Sequence, residues 1–214
     1  MRVGAPGFDE AAVRAWLTRR DKLLGKVIAK AGPFTLEVDR AKDTWETLCR
    51  SIVYQQLAGK AARVIWGRFV ALGHDGAPPT PEAALALDES SLRAVGLSGA
   101  KVAAVRDLAA KCAAGIIPEM AVLDGLDDEL IIDRLTVVRG IGRWSVEMLL
   151  MFRMGRPDVL PVTDYGVRQG FQHAFRTKEL PGPDVMVARA ERWRPWRSVA
   201  SWYLWRAAEQ ARQR

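Results

Sequence analysis

The sequence predicts an all-α fold built as two helical lobes. Three observations carry this. Apolar residues recur at three- and four-residue spacing through most of the chain. The runs are short and are punctuated by capping residues, glycines and prolines. Only Phe34–Val38 alternates in the manner of a strand, and no partner of note accompanies it. About ten helices in short-loop order fit two packed lobes.

Asp9 caps a helical run in which Val13, Trp16, Leu17, Leu23, Leu24, Val27 and Ile28 share one side, with Asp21 or Gly25 placed to split it. Gly32-Pro33 ends the run, and residues 34–38 follow as a short strand or extended arm. Asp43-Thr44-Trp45-Glu46 has capping-box spacing and opens a helix through Leu48, Cys49, Ile52 and Val53. That helix ends at Tyr54-Gln55-Gln56-Leu57-Ala58, which reads from its residues as a solvated turn. The next helix carries Val64, Ile65, Trp66 and Phe69, and residues 73–79, GHDGAPP, form a surface loop. Thr80-Pro81 supplies a cap and a first-turn proline. Leu92–Val95 makes a short helix stopped by Gly96, and Gly96-Leu97-Ser98-Gly99-Ala100-Lys101 opens the helix 102–113.

Asp127-Asp128-Glu129 starts the next helix with acidic residues at its positive end, and Leu130, Ile131, Leu135 and Val138 give it an apolar side. It stops at Arg139-Gly140-Ile141-Gly142-Arg143. A second run then carries Trp144, Met148 and Phe152 along one stripe. Asp164 opens the helix 165–176, Pro181-Gly182-Pro183 turns the chain, and Pro195-Trp196-Arg197-Ser198 starts the last helix, with Val199, Trp202, Tyr203, Leu204 and Trp205. Trp16, Trp45 and Trp202 are expected in the core.

Composition narrows the function classes. With 214 residues, 49% of them hydrophobic, and a mean hydropathy of −0.06, the chain is long enough for a real core and is soluble in character. No apolar run reaches the roughly 18 residues that span a bilayer, and the charged N-terminal stretch does not read as a signal peptide. A cytoplasmic monomer without a membrane partner is expected. The net charge of +7 and pI near 9.8 favour a polyanionic partner. Cys49 and Cys112 lie on apolar helical faces and read as buried free thiols. Two cysteines exclude a four-cysteine iron–sulfur cluster, and two histidines beside them make a zinc site a poor fit; no metal or cofactor is expected.

Two places carry chemistry. The pair Gly140 and Gly142 around Ile141 allows a tight turn and close backbone approach. The amides opening the second helix sit at the positive end of its dipole and suit a phosphate, with Arg139 and Arg143 on either side. A plain helical hairpin with a glycine-rich turn accounts for the same residues. Downstream, Asp164 stands alone at a helix start beside Tyr165, where it is either a simple cap or a catalytic carboxylate.

Taken together, Gln55-Gln56, Gly96–Lys101, Gly140–Trp144, Asp164 and Pro195–Trp205 resemble the helix-hairpin-helix (HhH-GPD) DNA glycosylase superfamily, and within it the alkylation-repair branch, 3-methyladenine DNA glycosylase II. The likeness spans residues 43–206. It implies an interlobe cleft, one lobe from residues 1–42 and 155–214, and a central lobe from 43–154 ending in the hairpin. It makes Asp164 the catalytic residue, which stabilises an oxocarbenium-like sugar. It makes Trp144, Tyr165 and Trp205 the pocket that stacks on a cationic alkylated purine. Arg139, Gly140, Ile141, Gly142, Arg143 and Ser145 would hold the DNA backbone, and Gln56, Leu57 or Ala58 would plug the gap left by the flipped base. Relatives that also cut the strand use a lysine where Trp144 stands, so base release without strand cleavage is implied. The family hairpin usually carries a proline where this chain has Arg139, which loosens the turn and adds a charge. The partner would be double-stranded DNA holding a damaged base. A glycosylase for deaminated or mismatched bases, or a non-catalytic DNA-binding protein, are the competing readings.

Overall fold

The computed structural model of the protein describes residues 7–41 and 43–212. In these residues the regular elements are helical. They are α1 (Glu10–Arg20), α2 (Lys22–Ala31), α3 (Thr44–Tyr54), α4 (Gly59–Val70), α5 (Pro81–Ala86), α6 (Glu89–Ala94) and α7 (Gly99–Ala113). There follow α8 (Met120–Asp124), α9 (Asp128–Leu135), α10 (Arg143–Leu149), a π-helical turn (Leu150–Met154), α11 (Tyr165–Phe175), α12 (Pro183–Ala190), a 3-10 turn (Glu191–Trp193) and α13 (Arg197–Arg212). The chain divides into two compact units, Met1–Arg40 with Glu147–Arg214, and Ala41–Val146.

In the first unit, Asp21 decides the local structure. It is the last-turn neighbour of α1 and the N-cap of α2, accepting from Leu23 N at 3.1 Å and Leu24 N at 3.2 Å. A carboxylate that claims the amides of a new helix cannot lie inside the old one, so the run splits at Asp21, the first of the two places the sequence offered, and Gly25 lies within α2. The same carboxylate, 1% exposed, binds Arg189 at 2.9 Å and accepts from the Trp193 indole at 3.1 Å. Leu17, Leu24, Ile28, Phe171, Trp193, Tyr203 and Leu204 form the core around it. Residues 34–38 run as an extended arm, and Asp39 N donates to Phe152 O at 3.1 Å. Trp16, expected in the core, is only partly buried and carries the Arg20 guanidinium 5.0 Å over its ring. Val13 and Leu17 take the buried face of α1 in its place.

The second unit buries Leu48, Ile52, Phe69, Leu92, Val105, Leu108, Ile131 and Leu135. The Trp45 indole is buried and donates to Pro79 O at 2.8 Å, as an indole N–H in a core must. Leu130 and Val64, read as apolar-face residues, are half exposed, because Ile131 and Leu135 on α9 and Ala62 and Phe69 on α4 face the core. Cys49 is buried; Cys112 is half-buried, and burial, then the charges of Asp43 and Glu82, push its thiol up to about 11. Both thiols are therefore poor nucleophiles. No helix among the described residues is long and apolar enough to cross a membrane.

Candidate active site

Asp164 caps α11. A turn delivers it there, with Val162 N bonded to Leu160 O at 2.9 Å and Asp164 N to Pro161 O at 3.0 Å. Its Oδ1 accepts from Val167 N at 2.7 Å, the bond any N-cap makes. A second donor goes beyond capping. The Trp205 indole Nε1, from α13, donates to the same Oδ1 at 2.8 Å. Two N–H groups on one oxygen fix the direction in which the carboxylate faces.

Two glycines make that meeting possible. A Cβ on Gly166 would lie 2.8 Å from Trp205 Cδ1 and 3.2 Å from Asp164 Oδ1. A Cβ on Gly170, one turn on, would lie 1.8 Å from Leu204 O. Residues four apart share a helix face, so α11 is bare backbone where it crosses α13. Behind Trp205, Phe152 of the π-helical turn stacks on its ring with centroids 5.7 Å apart and planes 27° apart. Gly155, at φ +71°, ends that turn, where a left-handed residue closes a helix without Cβ cost. Tyr165 is 62% exposed. Its hydroxyl accepts from Gln169 Nε2 at 3.1 Å, and Gln169 Oε1 accepts from Arg212 at 2.7 Å.

The glycine turn lies in the other unit. Gly140 has φ +79°, a conformation that favours glycine, and a Cβ there would sit 3.5 Å above the Ala104 methyl. Ile141 is buried, and its N bonds to Val138 O at 3.0 Å. Gly142 differs from the expectation that both glycines serve the turn. Its φ is not positive, and a Cβ on it would meet open space. Neither its φ nor a neighbour among the described residues calls for a glycine there. Arg139 is exposed, and its backbone N donates to Asp107 Oδ2 at 2.7 Å. Burial raises the Asp107 carboxyl, but the Arg139 amide and the Lys111 ammonium outweigh it and hold the group below its ordinary value. Arg143 pairs with Glu129 across the hairpin, at 2.8 Å for Nη1, in an exposed ion pair of small net worth. Its charge is thus shared with a carboxylate, where the sequence reading gave it to phosphate alone. Ser145 N and Val146 N bond to Gly142 O at 2.9 and 3.2 Å, and Trp144 is 45% exposed.

The connection from α3 to α4 touches this turn. Gln55 ends α3, and its Nε2 donates to Gly140 O at 2.9 Å. Gln56 has φ +56°, and Gln56, Leu57 and Ala58 are exposed. Lys101 Nζ donates to Val53 O at 2.7 Å and Gln55 O at 2.9 Å.

A family model described as HhH-GPD superfamily base excision DNA repair protein matches residues 49–197. The chain belongs to this superfamily. DNA-3-methyladenine glycosylase 1 of Schizosaccharomyces pombe is 37% identical over 170 residues, which are 79% of this chain and 75% of that protein. A structure of the Schizosaccharomyces pombe 3-methyladenine DNA glycosylase in complex with abasic DNA matches with a TM-score of 0.80 at 33% identity, covering 91% of this chain and 95% of that one. The DNA-3-methyladenine glycosidase of Bacillus halodurans matches with a TM-score of 0.82 at 30% identity, covering 100% and 95%.

For an HhH-GPD protein the geometry thus groups Asp164, Tyr165 and Trp205 within one unit, and Arg139–Ser145, Trp144 and Gln56–Ala58 within the other. Sequence reasoning missed Gly166, Gly170 and Phe152 as parts of these assemblies, and it matched Gln55 and Lys101 to the superfamily pattern without their bonds to Gly140 and to the end of α3. Glycines four apart in α11 were the one local signal available for the first two. A recess of about 520 Å³ lined by Trp45, Pro78, Cys112, Ile117 and Met120 contains none of the candidate site residues named above.

Proposed function

We propose that this chain is a monofunctional DNA glycosylase: it takes an alkylated purine out of duplex DNA and hydrolyses its N-glycosidic bond, leaving an intact abasic site. The observation that carries the reading is the Trp205 indole bond to Asp164, because a helix cap needs no second donor. The S. pombe and B. halodurans relatives, named for 3-methyladenine, support the substrate class, and the abasic DNA bound by the former is the kind of product this chemistry leaves.

In the proposed reaction the C1′–N bond breaks first, and its electron pair leaves with the base. Methylation has already made the base cationic, so it departs neutral. Positive charge grows on the sugar and faces the Asp164 carboxylate, which stabilises it in place of mobile water. Water then adds to C1′ and loses a proton. Tyr165 and Trp144, both exposed, are the side chains proposed to stack on the flat cation. Trp205 serves mainly through its N–H, since its ring already stacks on Phe152. Arg139 through Arg143 and Ser145 hold the sugar-phosphate strand, with Gly142 giving the closest approach. Gln56, Leu57 or Ala58 enters the stack in place of the extruded base. Trp144 has no amine, so no Schiff base forms and the strand is not cut.

Duplex DNA treated with a methylating agent should release free 3-methyladenine or 7-methylguanine when incubated with the protein, seen by chromatography. Borohydride added during turnover should trap no protein–DNA adduct. An absence of free purine sinks the proposal, and an adduct sinks its monofunctional part.

A further inference from the structure

The loop between α3 and α4 is tied to the glycine turn by side chains that a helix-to-helix connection does not need. Lys101 lies in the first turn of α7 and puts its ammonium on two carbonyls, Val53 O and Gln55 O, at the end of α3. Those are carbonyls that a helix end leaves without intrahelical partners, at the negative end of its dipole. Burial lowers the Lys101 ammonium, as expected for a charge drawn in against the protein. Gln55, held this way, reaches 85 residues along the chain to donate to Gly140 O. The next residue, Gln56, sits at φ +56°, which few residues with a side chain adopt, and Leu57 after it is an exposed aliphatic. The glycine turn rests on the same helix α7. The Ala104 methyl lies under Gly140, and Asp107 accepts from the Arg139 amide. Three successive turns of one helix therefore fix both the loop and the hairpin.

We propose that Lys101 and Gln55 are positioning residues that lock residues 55–58 to the hairpin, so that the strand grip and the loop meet DNA as one rigid piece. This rests on the glycosylase reading above. Its consequence is specific. The lock matters when the base must be forced out of a paired stack, and matters little when the base is already out. Neither side chain touches the substrate, and neither takes part in bond cleavage.

The test uses the full chain and two duplexes carrying 7-methylguanine, one paired with cytosine and one with the lesion in a single-nucleotide bulge. Single-turnover release is measured for Lys101→Met, Lys101→Arg, Gln55→Met and the unmodified protein. Loss of one lock should slow release from the paired duplex by about tenfold or more, and from the bulge by less than about threefold. Lys101→Arg, which keeps a donor cation, should recover most of the paired rate. A 2-aminopurine beside the lesion should show a smaller fluorescence rise with the two Met variants. Equal losses on both duplexes, or no loss on either, overturn the positioning role while leaving the enzyme reading in place. If the unmodified protein releases free purine neither from these duplexes nor from methylated duplex DNA, the enzyme reading falls and takes this proposal with it.

Discussion

Trp205→Phe isolates the bond on which the site depends. Phenylalanine keeps an aromatic ring to stack on Phe152 but has no N–H for Asp164 Oδ1. The carboxylate still accepts from Val167 N, so α11 keeps its cap. A hydrogen bond to a charged acceptor is worth about 1.5–3 kcal/mol. At about 1.4 kcal/mol per tenfold, losing the whole of it in the transition state slows base release by about ten- to a hundredfold. The measurement is single-turnover release of methylated purine, with a thermal melt and a DNA-binding titration alongside. The rate should fall while binding holds and the melting midpoint moves only a few degrees, because Trp205 is partly exposed. Gly166→Ala should give the same loss by another route, since its methyl would stand 2.8 Å from Trp205 Cδ1. Full activity in a folded Trp205→Phe protein would show that the indole does not hold the reacting carboxylate.

Gly170→Ala should cost stability first: with Leu204 O 1.8 Å from the new Cβ, α11 must move off α13, a loss of about 3 kcal/mol or more by denaturant melt; an unchanged midpoint would contradict the crossing described. Asp21→Asn should lose about 3–5 kcal/mol at neutral pH, because Arg189 would be left beside a neutral partner. Burial raises the Asp21 carboxyl, but Arg189, the Leu24 amide and the Trp193 indole hold it below its ordinary value of 3.8. A depressed carboxylate stabilises the fold above its unfolded pKa and loses that contribution as pH falls through its folded pKa. The gap between wild type and variant should therefore be constant near pH 7 and narrow below about pH 3.8; a gap that widens in acid would refute the assignment. Arg139→Gln keeps the backbone bond to Asp107 and should lower DNA affinity evenly across sequences, reducing the slope of log K against log salt by about 1. An unchanged slope would remove Arg139 from the phosphate grip.

Much of this was readable from residues. Asp9, Asp43 and Thr80 each cap the helix that follows, because a short acceptor side chain satisfies amides its own helix leaves open. The same logic placed Asp164 at a helix start, though not its second donor. Trp205 was read as a stacking face, and its bond to Asp164 was not foreseen because sequence gives an aromatic's type and not the direction of its N–H. Lys101 and Gln55 act on residues 46–48 and 85 positions away, and no local pattern encodes such a pairing. Trp16 and Leu130 were assigned to apolar stripes that turned out wider than the face the core covers. Gly142 was read with Gly140 as turn chemistry, but only Gly140 has the positive φ that favours a glycine, and sequence does not print backbone angles.

Asp164→Asn tests the account most directly. The amide keeps an oxygen for Val167 N and Trp205 Nε1, so the fold and the cap survive, while the negative charge facing the sugar is gone. The account predicts that release of methylated purine from duplex DNA becomes undetectable, with binding to the same duplex and the melting midpoint close to wild type. Release at the wild-type rate would mean that the carboxylate is a helix cap and nothing more.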